Sequence, residues 1–385
     1  MKKAISAVLA GTMALSFAAC GAGESNIPAN AICIGGIGPV TGNYAQYGTA
    51  VRNGTELAIE EINALGGDIQ FAFSFEDDEV DNEKAVNAYN QLKDWAGDKP
   101  FLLVGATTSG CTIAVGAETY ADGIFQITPS GTDIDCVKYD NAFRTCFSDP
   151  TQGVVSAQYI KDNALGTKIG IIYDSSDTYS DGVTKAFVEE AASIGLEVVA
   201  KEAFTKDTKT DMKVQLQKLQ SAGADLVFMP IYYSEASTIL SQTNEIGYQP
   251  TFYGCDGMDG ILSVENFDVS LAENLMFLTP FITTAQDEKT QNFVTKYREK
   301  YDMEPNQFAA DAYDSVYAVY AACQQAGANS EMSSQELCEA LKVAMTEVSI
   351  DGLTGKGISW QSNGEPNKSP MVVQIKDGVY TLLEN

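Results

Sequence analysis

The chain has 385 residues, 45% of them hydrophobic, with 52 acidic against 24 basic side chains and a net charge of −28. That length fits two domains of ordinary size, and so acidic a surface repels phosphate backbones, which excludes nucleic acid as a partner. Histidine is absent, which removes Ser-His-Asp and Cys-His catalysis, His-ligated zinc and the usual neutral-pH base.

The chain opens with Met1-Lys2-Lys3, continues in a mostly apolar run from Ala4 to Phe17, and reaches Ala18-Ala19-Cys20-Gly21. A basic start, a short apolar region and small residues before a processing point make an export signal. A cysteine directly after two alanines resembles the bacterial lipobox, with Phe17 in place of the usual Leu. Residues 1–19 are therefore read as a lipoprotein signal peptide and Cys20 as the lipidated first residue of the mature chain. Stable anchoring takes more than one acyl chain, and the resemblance implies several on Cys20. Residues 20–30 are small and polar and read as a flexible tether. No later run is long and apolar enough to span a bilayer. The expected location is the extracytoplasmic face of the cell membrane, with the acidic body held off the lipid.

Strand–helix alternation follows. Ala31 to Ile34 reads as a strand ending in glycines, and Val51, Thr55, Ala58, Ile62 and Leu65 repeat at helical spacing until Gly66-Gly67. Ile69, Phe71, Phe73 and Phe75 alternate as a strand. Ala85, Tyr89 and Leu92 mark a second helix before the apolar runs 101–104 and 124–127. The pattern restarts near residue 150, with strands at 168–173, 196–200, 225–229 and 251–253. Repeated β-α units with short apolar strands predict parallel sheets covered by helices, here in two α/β lobes.

The tail differs. Residues 273–279 read as a strand, and helical patterns follow near 287–300, 307–326 and 334–346. A hairpin forms around Asp377-Gly378. If the helices complete the first lobe and the hairpin the second, the chain crosses three times. Lobe 1 is then 31–148 plus 281–353, and lobe 2 is 149–280 plus 354–385.

Seven cysteines follow Cys20: Cys33, Cys111, Cys136, Cys146, Cys255, Cys323 and Cys338. None forms a C-x-x-C pair, so neither structural zinc nor any other metal is expected. Cys136–Cys146 and Cys323–Cys338 are the sequence-local disulfide candidates, and the odd count leaves at least one thiol unpaired within the chain.

Ligands in open α/β sheets bind beyond the carboxyl ends of the strands. At those exits the first lobe offers Thr107, Thr108, Ser109, Thr128, Ser130 and Thr132, hydroxyls near helix starts that suit a carboxylate. The second offers Asp174, Tyr179, Tyr232, Tyr233, Glu235 and Asp256, which suit an ammonium group. A cleft of that polarity fits a zwitterion such as a free amino acid, although Ser, Thr and Asp also cap helices for purely structural reasons.

Motifs for other chemistries are weak. Gly36-Ile-Gly38-Pro-Val-Thr41 lacks the last glycine of a dinucleotide fingerprint, and there is neither a G-x-S-x-G elbow nor a Walker A sequence. No cofactor is expected. Glu76-Asp77-Asp78-Glu79 reads as a solvated loop, because calcium loops need a defined ligand spacing.

Residues Gly38-Pro-Val-Thr-Gly-Asn-Tyr-Ala-Gln-Tyr-Gly48, Glu60-Glu-Ile-Asn-Ala-Leu-Gly-Gly67, Thr128-Pro-Ser-Gly-Thr132, Asp149-Pro-Thr-Gln-Gly153 and Tyr179-Ser-Asp-Gly182 carry a family resemblance. The chain is similar to the leucine/isoleucine/valine-type solute-binding proteins of bacterial ABC importers, from Ala31 to Asn385. The resemblance implies two doubly wound α/β lobes joined by a three-crossover hinge, periplasmic binding protein type I-like. It implies a monomer that closes on an amino acid and docks on an ABC permease, without enzymatic activity. Ser109, Thr132 and the backbone around Ser130 would hold the ligand carboxylate, and Asp256 the α-ammonium. Asp149 and Tyr232 would join the second-lobe polar shell, with Tyr179 in a loop lining the cleft. Tyr47 stands where a larger aromatic is common, which implies a roomier or more polar side-chain pocket. Two readings compete: a sensor or binder of an amide or other small polar metabolite, and an exported enzyme using Asp149, Asp174 and Asp256 as acid-base groups.

Overall fold

The computed structural model describes residues 27–383. Cys20, the signal peptide and most of the tether lie outside the described residues. The first lobe begins with β1 (Ala31–Ile37), α1 (Ala45–Ala64), β2 (Gln70–Glu76), α2 (Asn82–Ala96) and β3 (Phe101–Gly105). It continues with α3 (Ser109–Asp122), β4 (Gln126–Thr128) and β5 (Ala142–Arg144). The five strands pair in parallel in the order β2-β1-β3-β4-β5. Gly35 and Gly36 in β1 make room for aromatic neighbours: a Cβ would lie 2.8 Å from the Phe101 ring at Gly35 and 2.4 Å from the Phe75 ring at Gly36. Phe75 of β2 thus packs against a position of β1 that carries no side chain, while Phe71 and Phe73 stand opposite Ile32 and Ile34.

The second lobe starts at α4 (Asp149–Asp162), where Ser148 caps the helix by accepting from Thr151 N and Pro150 stands in the first turn. It continues through β6 (Lys168–Asp174), α5 (Thr178–Ile194), β7 (Glu197–Phe204), α6 (Lys213–Ser221), β8 (Leu226–Met229), α7 (Tyr233–Glu245), β9 (Thr251–Gly254) and β10 (Met276–Thr279). The chain then returns to the first lobe as α8 (Glu288–Tyr301), α9 (Gln307–Ala326) and α10 (Ser334–Ala344). Gly54 lets α1 press against α9, since a Cβ there would lie 2.1 Å from the Ala309 carbonyl oxygen. A two-stranded ribbon, β11 (Ser349–Ile350) with β12 (Ile358–Ser359), precedes the hairpin of β13 (Met371–Lys376) and β14 (Val379–Leu382). That hairpin closes the seven-stranded sheet β14-β13-β10-β9-β8-β6-β7, with β13 antiparallel to β10.

Each sheet is covered on both faces. One hydrophobic cluster runs without a break from Ile32, Val51 and Val316 in the first lobe to Val227, Ile239 and Phe277 in the second. Separate clusters lie under α2 and α3 and under α4 and α5.

Two sequence expectations change. Residues 354–368, expected with lobe 2, are held by the first lobe. Ile358 pairs with Ile350, Thr354 N donates to Asp314 at 2.9 Å, and Trp360 Nε1 donates to the Arg144 carbonyl at 2.7 Å. Lys368 Nζ donates to the Thr145 carbonyl at 3.1 Å and pairs with the buried Asp311 carboxylate. The third crossing therefore lies after Lys368, because buried polar bonds carry the Gly-rich segment past the expected boundary. The second change concerns sulfur: Cys136–Cys146 and Cys323–Cys338 are not bonded. All seven cysteines among the described residues are free and buried, where they pack as small apolar side chains.

Candidate ligand-binding cleft

The carboxyl ends of the two sheets face each other, and their exit loops supply the polar groups. At the β3 exit, α3 starts after Thr108, whose side chain makes no capping bond. The first N–H groups of α3 and the positive end of its dipole are thus left for another acceptor. Ser109 Oγ accepts from the backbone N–H of Thr132 at 3.1 Å and of Asp133 at 3.2 Å, so its own proton remains to be donated. Thr132 Oγ1 lies 3.5 Å from it, and Thr108 Oγ1 is buried without a partner. Ser130 spends its hydroxyl on the Thr107 carbonyl at 2.6 Å, so only its backbone is available. This corner accepts an anion.

The second lobe answers with an acid. Asp256 is buried and its Oδ1 has no hydrogen-bond partner. Burial pushes its carboxyl up to about 7, against the opposing pull of hydrogen bonds from Tyr179 and Gln152. A cationic group beside it would restore the ionised form, since an unpaired buried charge is costly. Its carbonyl accepts from Gln307 Nε2 at 2.9 Å, so the first lobe holds the same loop. Tyr179 OH accepts from Gly257 N at 3.2 Å, and its ring stacks on Tyr232 with centroids 5.2 Å apart.

Between the poles lies an aromatic wall. Tyr47 OH donates to the Gly257 carbonyl at 2.5 Å across the lobes, and its ring sits 4.4 Å from Phe308 and 4.8 Å from Tyr233. The enclosed cavity measures about 20 Å³, on the scale of one water. Of the roomier or more polar pocket expected from Tyr47, the extra room is not found: the phenol reaches across the gap and fills it. A larger solute enters only if the lobes part or these rings withdraw.

Nine of the expected residues therefore line one cavity: Tyr47, Thr107, Thr108, Ser109, Ser130, Thr132, Tyr179, Tyr232 and Asp256. Asp149 does not. It starts α4 behind Thr132, fully buried, and faces a separate and larger cavity. Phe308 and Gly257 also line the small cavity and were not expected. Phe308 stands in the first turn of α9, a helix whose apolar spacing marks it as core. Gly257 contributes a carbonyl that no side-chain pattern reveals. Among the described residues, no group of three His, Cys, Asp or Glu side chains is placed to hold a metal ion.

Two hinged α/β lobes with an anion corner facing a buried acid define a solute-binding protein. A family model described as periplasmic binding protein matches residues 31–379, and the chain belongs to that family. The family binds solutes and does not transform them, so the chain is a binder and not an enzyme. It is 29% identical over 363 residues to Leu/Ile/Val-binding protein homolog 1 of Brucella abortus (strain 2308), covering 91% of this chain and 92% of that protein. Among solved structures it is 29% identical to the branched-chain amino acid transporter substrate-binding protein LivJ of Streptococcus pneumoniae, solved with isoleucine. The TM-score is 0.80, with 91% of this chain and 97% of that one covered. A solute-binding protein of R. palustris solved with benzoate has the same fold, at 19% identity and a TM-score of 0.80 over 92% of this chain and 95% of that one.

Proposed function

We propose that the chain is the lipid-anchored receptor of a bacterial ABC importer and binds a free branched-chain or similar apolar amino acid between its lobes. The observation that carries this is the pairing of poles across one cavity: the uncapped start of α3 with Ser109 and Thr132, against the unpaired Asp256. A zwitterion satisfies both at once, and the aromatic wall of Tyr47, Phe308 and Tyr232 suits an apolar side chain. Similarity to a protein solved with isoleucine supports the same ligand class. Closure would follow the hinge motion known for periplasmic binding proteins. Calorimetric titration against the common amino acids tests the reading, and it fails if none binds more tightly than about millimolar.

Anchoring through Cys20 on the extracytoplasmic face would keep a monomeric receptor near its permease and raise its effective concentration there. A Cys20→Ala form should then bind normally and support poor uptake in cells.

A second reading has one observation in its favour. Near neutral pH, burial leaves Asp256 partly protonated, and a neutral carboxyl can donate to an amide carbonyl. Asp256→Ala separates the two, because an ammonium ligand loses the one acid that lines the cavity among the described residues. Unchanged affinity in that variant would rule out the zwitterion.

A further inference from the structure

The stretch from Asp256 to Ser263, between β9 and β10, belongs to the second lobe but is gripped from both sides. From its own lobe, Gln152 Oε1 accepts from Asp256 N at 3.1 Å, and Tyr179 OH accepts from Gly257 N. It runs so close to that lobe that a Cβ at Gly257 would lie 2.7 Å from the Ile231 carbonyl oxygen. From the first lobe, Tyr47 OH reaches the Gly257 carbonyl and Gln46 Nε2 donates to the Ser263 carbonyl at 3.0 Å. Gln307 adds two bonds of its own.

Gln307 is the first residue of α9 and is 2% exposed. Its Nε2 donates to the Asp256 carbonyl at 2.9 Å, and its backbone N–H donates to Asp259 Oδ2 at 2.9 Å. The second bond sets an acid of one lobe on the positive end of a helix of the other. Helix capping does not account for it, because α9 has its own cap: the Asn306 side chain accepts from Ala309 N at 3.2 Å. Both bonds of Gln307 are buried, where water competes poorly for the same groups. Their partners stand on opposite lobes, so both are lost when the lobes part. Asp256 lines the small cavity and Gln307 lies outside that lining. Gln307 therefore reaches a bound solute only through the acid it holds.

We propose that Gln307 is a positioning residue for ligand binding. On closure it clasps the turn from Asp256 to Asp259, fixes Asp256 against the cavity, and ties recognition at that acid to the meeting of the lobes. The assignment rests on the reading of the small cavity as the amino-acid site. The clasp forms after the ligand is seated, so it slows release and takes no part in the first encounter.

Calorimetry and stopped-flow kinetics of the purified protein test it, with isoleucine or the common amino acid that the parent binds most tightly. Gln307→Met keeps the length and the backbone N–H and loses the side-chain donor. Gln307→Pro loses both donors yet suits the helix start: proline favours that position, and Asn306 before it is already extended, with φ −123° and ψ −177°. Affinity should fall about three- to tenfold in Gln307→Met and at least about tenfold in Gln307→Pro. The loss should lie in the dissociation rate, with association within about twofold of the parent. The ligand-free variants should melt within about 2 °C of the parent. Unchanged affinity in both variants overturns the clasp alone and leaves the amino-acid reading standing. A loss carried by the association rate, or accompanied by a larger fall in ligand-free melting temperature, overturns it too, by making Gln307 a purely structural residue. A parent that binds no amino acid overturns the amino-acid reading and the clasp with it.

Discussion

The phenol of Tyr44, on the first lobe, donates to Oε1 of Glu235, on the second, at 2.5 Å. Lys209 completes the tie, with Nζ 2.9 Å from the same carboxylate oxygen and 4.6 Å above the Tyr44 ring. Glu235 is buried and its other oxygen has no partner, so the contact is largely desolvated. A hydrogen bond to a charged group contributes roughly 1.5–3 kcal/mol, and here it exists only while the lobes are together. Tyr44→Phe should weaken amino-acid binding about tenfold by favouring the open form. Small-angle scattering of the ligand-free variant should show a larger radius of gyration. An unchanged dissociation constant would mean that the tie does not bias closure.

Burial holds several acids of the fold above their ordinary range. Asp256 and Asp177 are pushed up to about 7, and Asp259 and Asp311 to about 6. Between about pH 4 and 7 the folded chain keeps protons that the unfolded chain has released, so its stability falls as pH rises through that window. The ligand-free protein should therefore melt at a lower temperature at pH 8 than at pH 5. A flat profile would show that these carboxyls are ionised throughout.

Ligand affinity should run the opposite way. An α-ammonium needs Asp256 ionised, so binding of isoleucine should tighten by up to about tenfold per pH unit from 6 towards 7 and level off above 8. In Asp256→Asn this slope should vanish along with most of the affinity. Calorimetry across that range reads both.

At the other pole, Ser109 holds its own acceptor sites filled and keeps one proton to donate, while Thr132 presents its hydroxyl beside it. Ser109→Ala and Thr132→Val should each cost about 1.5–3 kcal/mol of binding to a carboxylate. Thermal stability should move less than affinity in the threonine variant. A loss confined to stability would assign these hydroxyls a structural role alone.

Arg144 is fully buried and joins the 131–133 loop to the tail: its guanidinium bonds both loop carbonyls and Glu365, and its own carbonyl accepts from Trp360. Arg144→Met strands those carbonyls and Glu365, at a cost of about 3–5 kcal/mol. Chemical denaturation should show that loss, and a change under about 1 kcal/mol would contradict the role given to this side chain.

What the sequence made legible followed from periodicity. The helical pattern at 307–326 coincides with α9, and the runs 101–104 and 168–173 lie within β3 and β6. Strand exits located eight residues of the cleft, because in this architecture the site lies where parallel strands stop, and Tyr47 came only from the family resemblance. β5 was not foreseen: three residues, Ala142–Arg144, are too few to show alternation. The third crossing was placed early because glycines at 352–357 look like a break, while the bonds that hold this segment come from Asp311, Asp314 and Arg144, far away in sequence. Phe308 was hidden inside a helix that reads as core, and Gly257 acts through its backbone. Neither the filling of the pocket by Tyr47 nor the turning of Asp149 away from it has a local signature.

The seven buried thiols have a practical consequence. Burial pushes Cys33 up to about 11 and Cys136, Cys323 and Cys338 up to about 12. Such groups form little thiolate, the species that oxidants and disulfides attack. No covalent cross-link among the described residues has to be made before the chain reaches its final shape. Recombinant material should therefore mature in a reducing cytosol without an oxidase or isomerase, and reductant in the buffer should leave its melting curve in place.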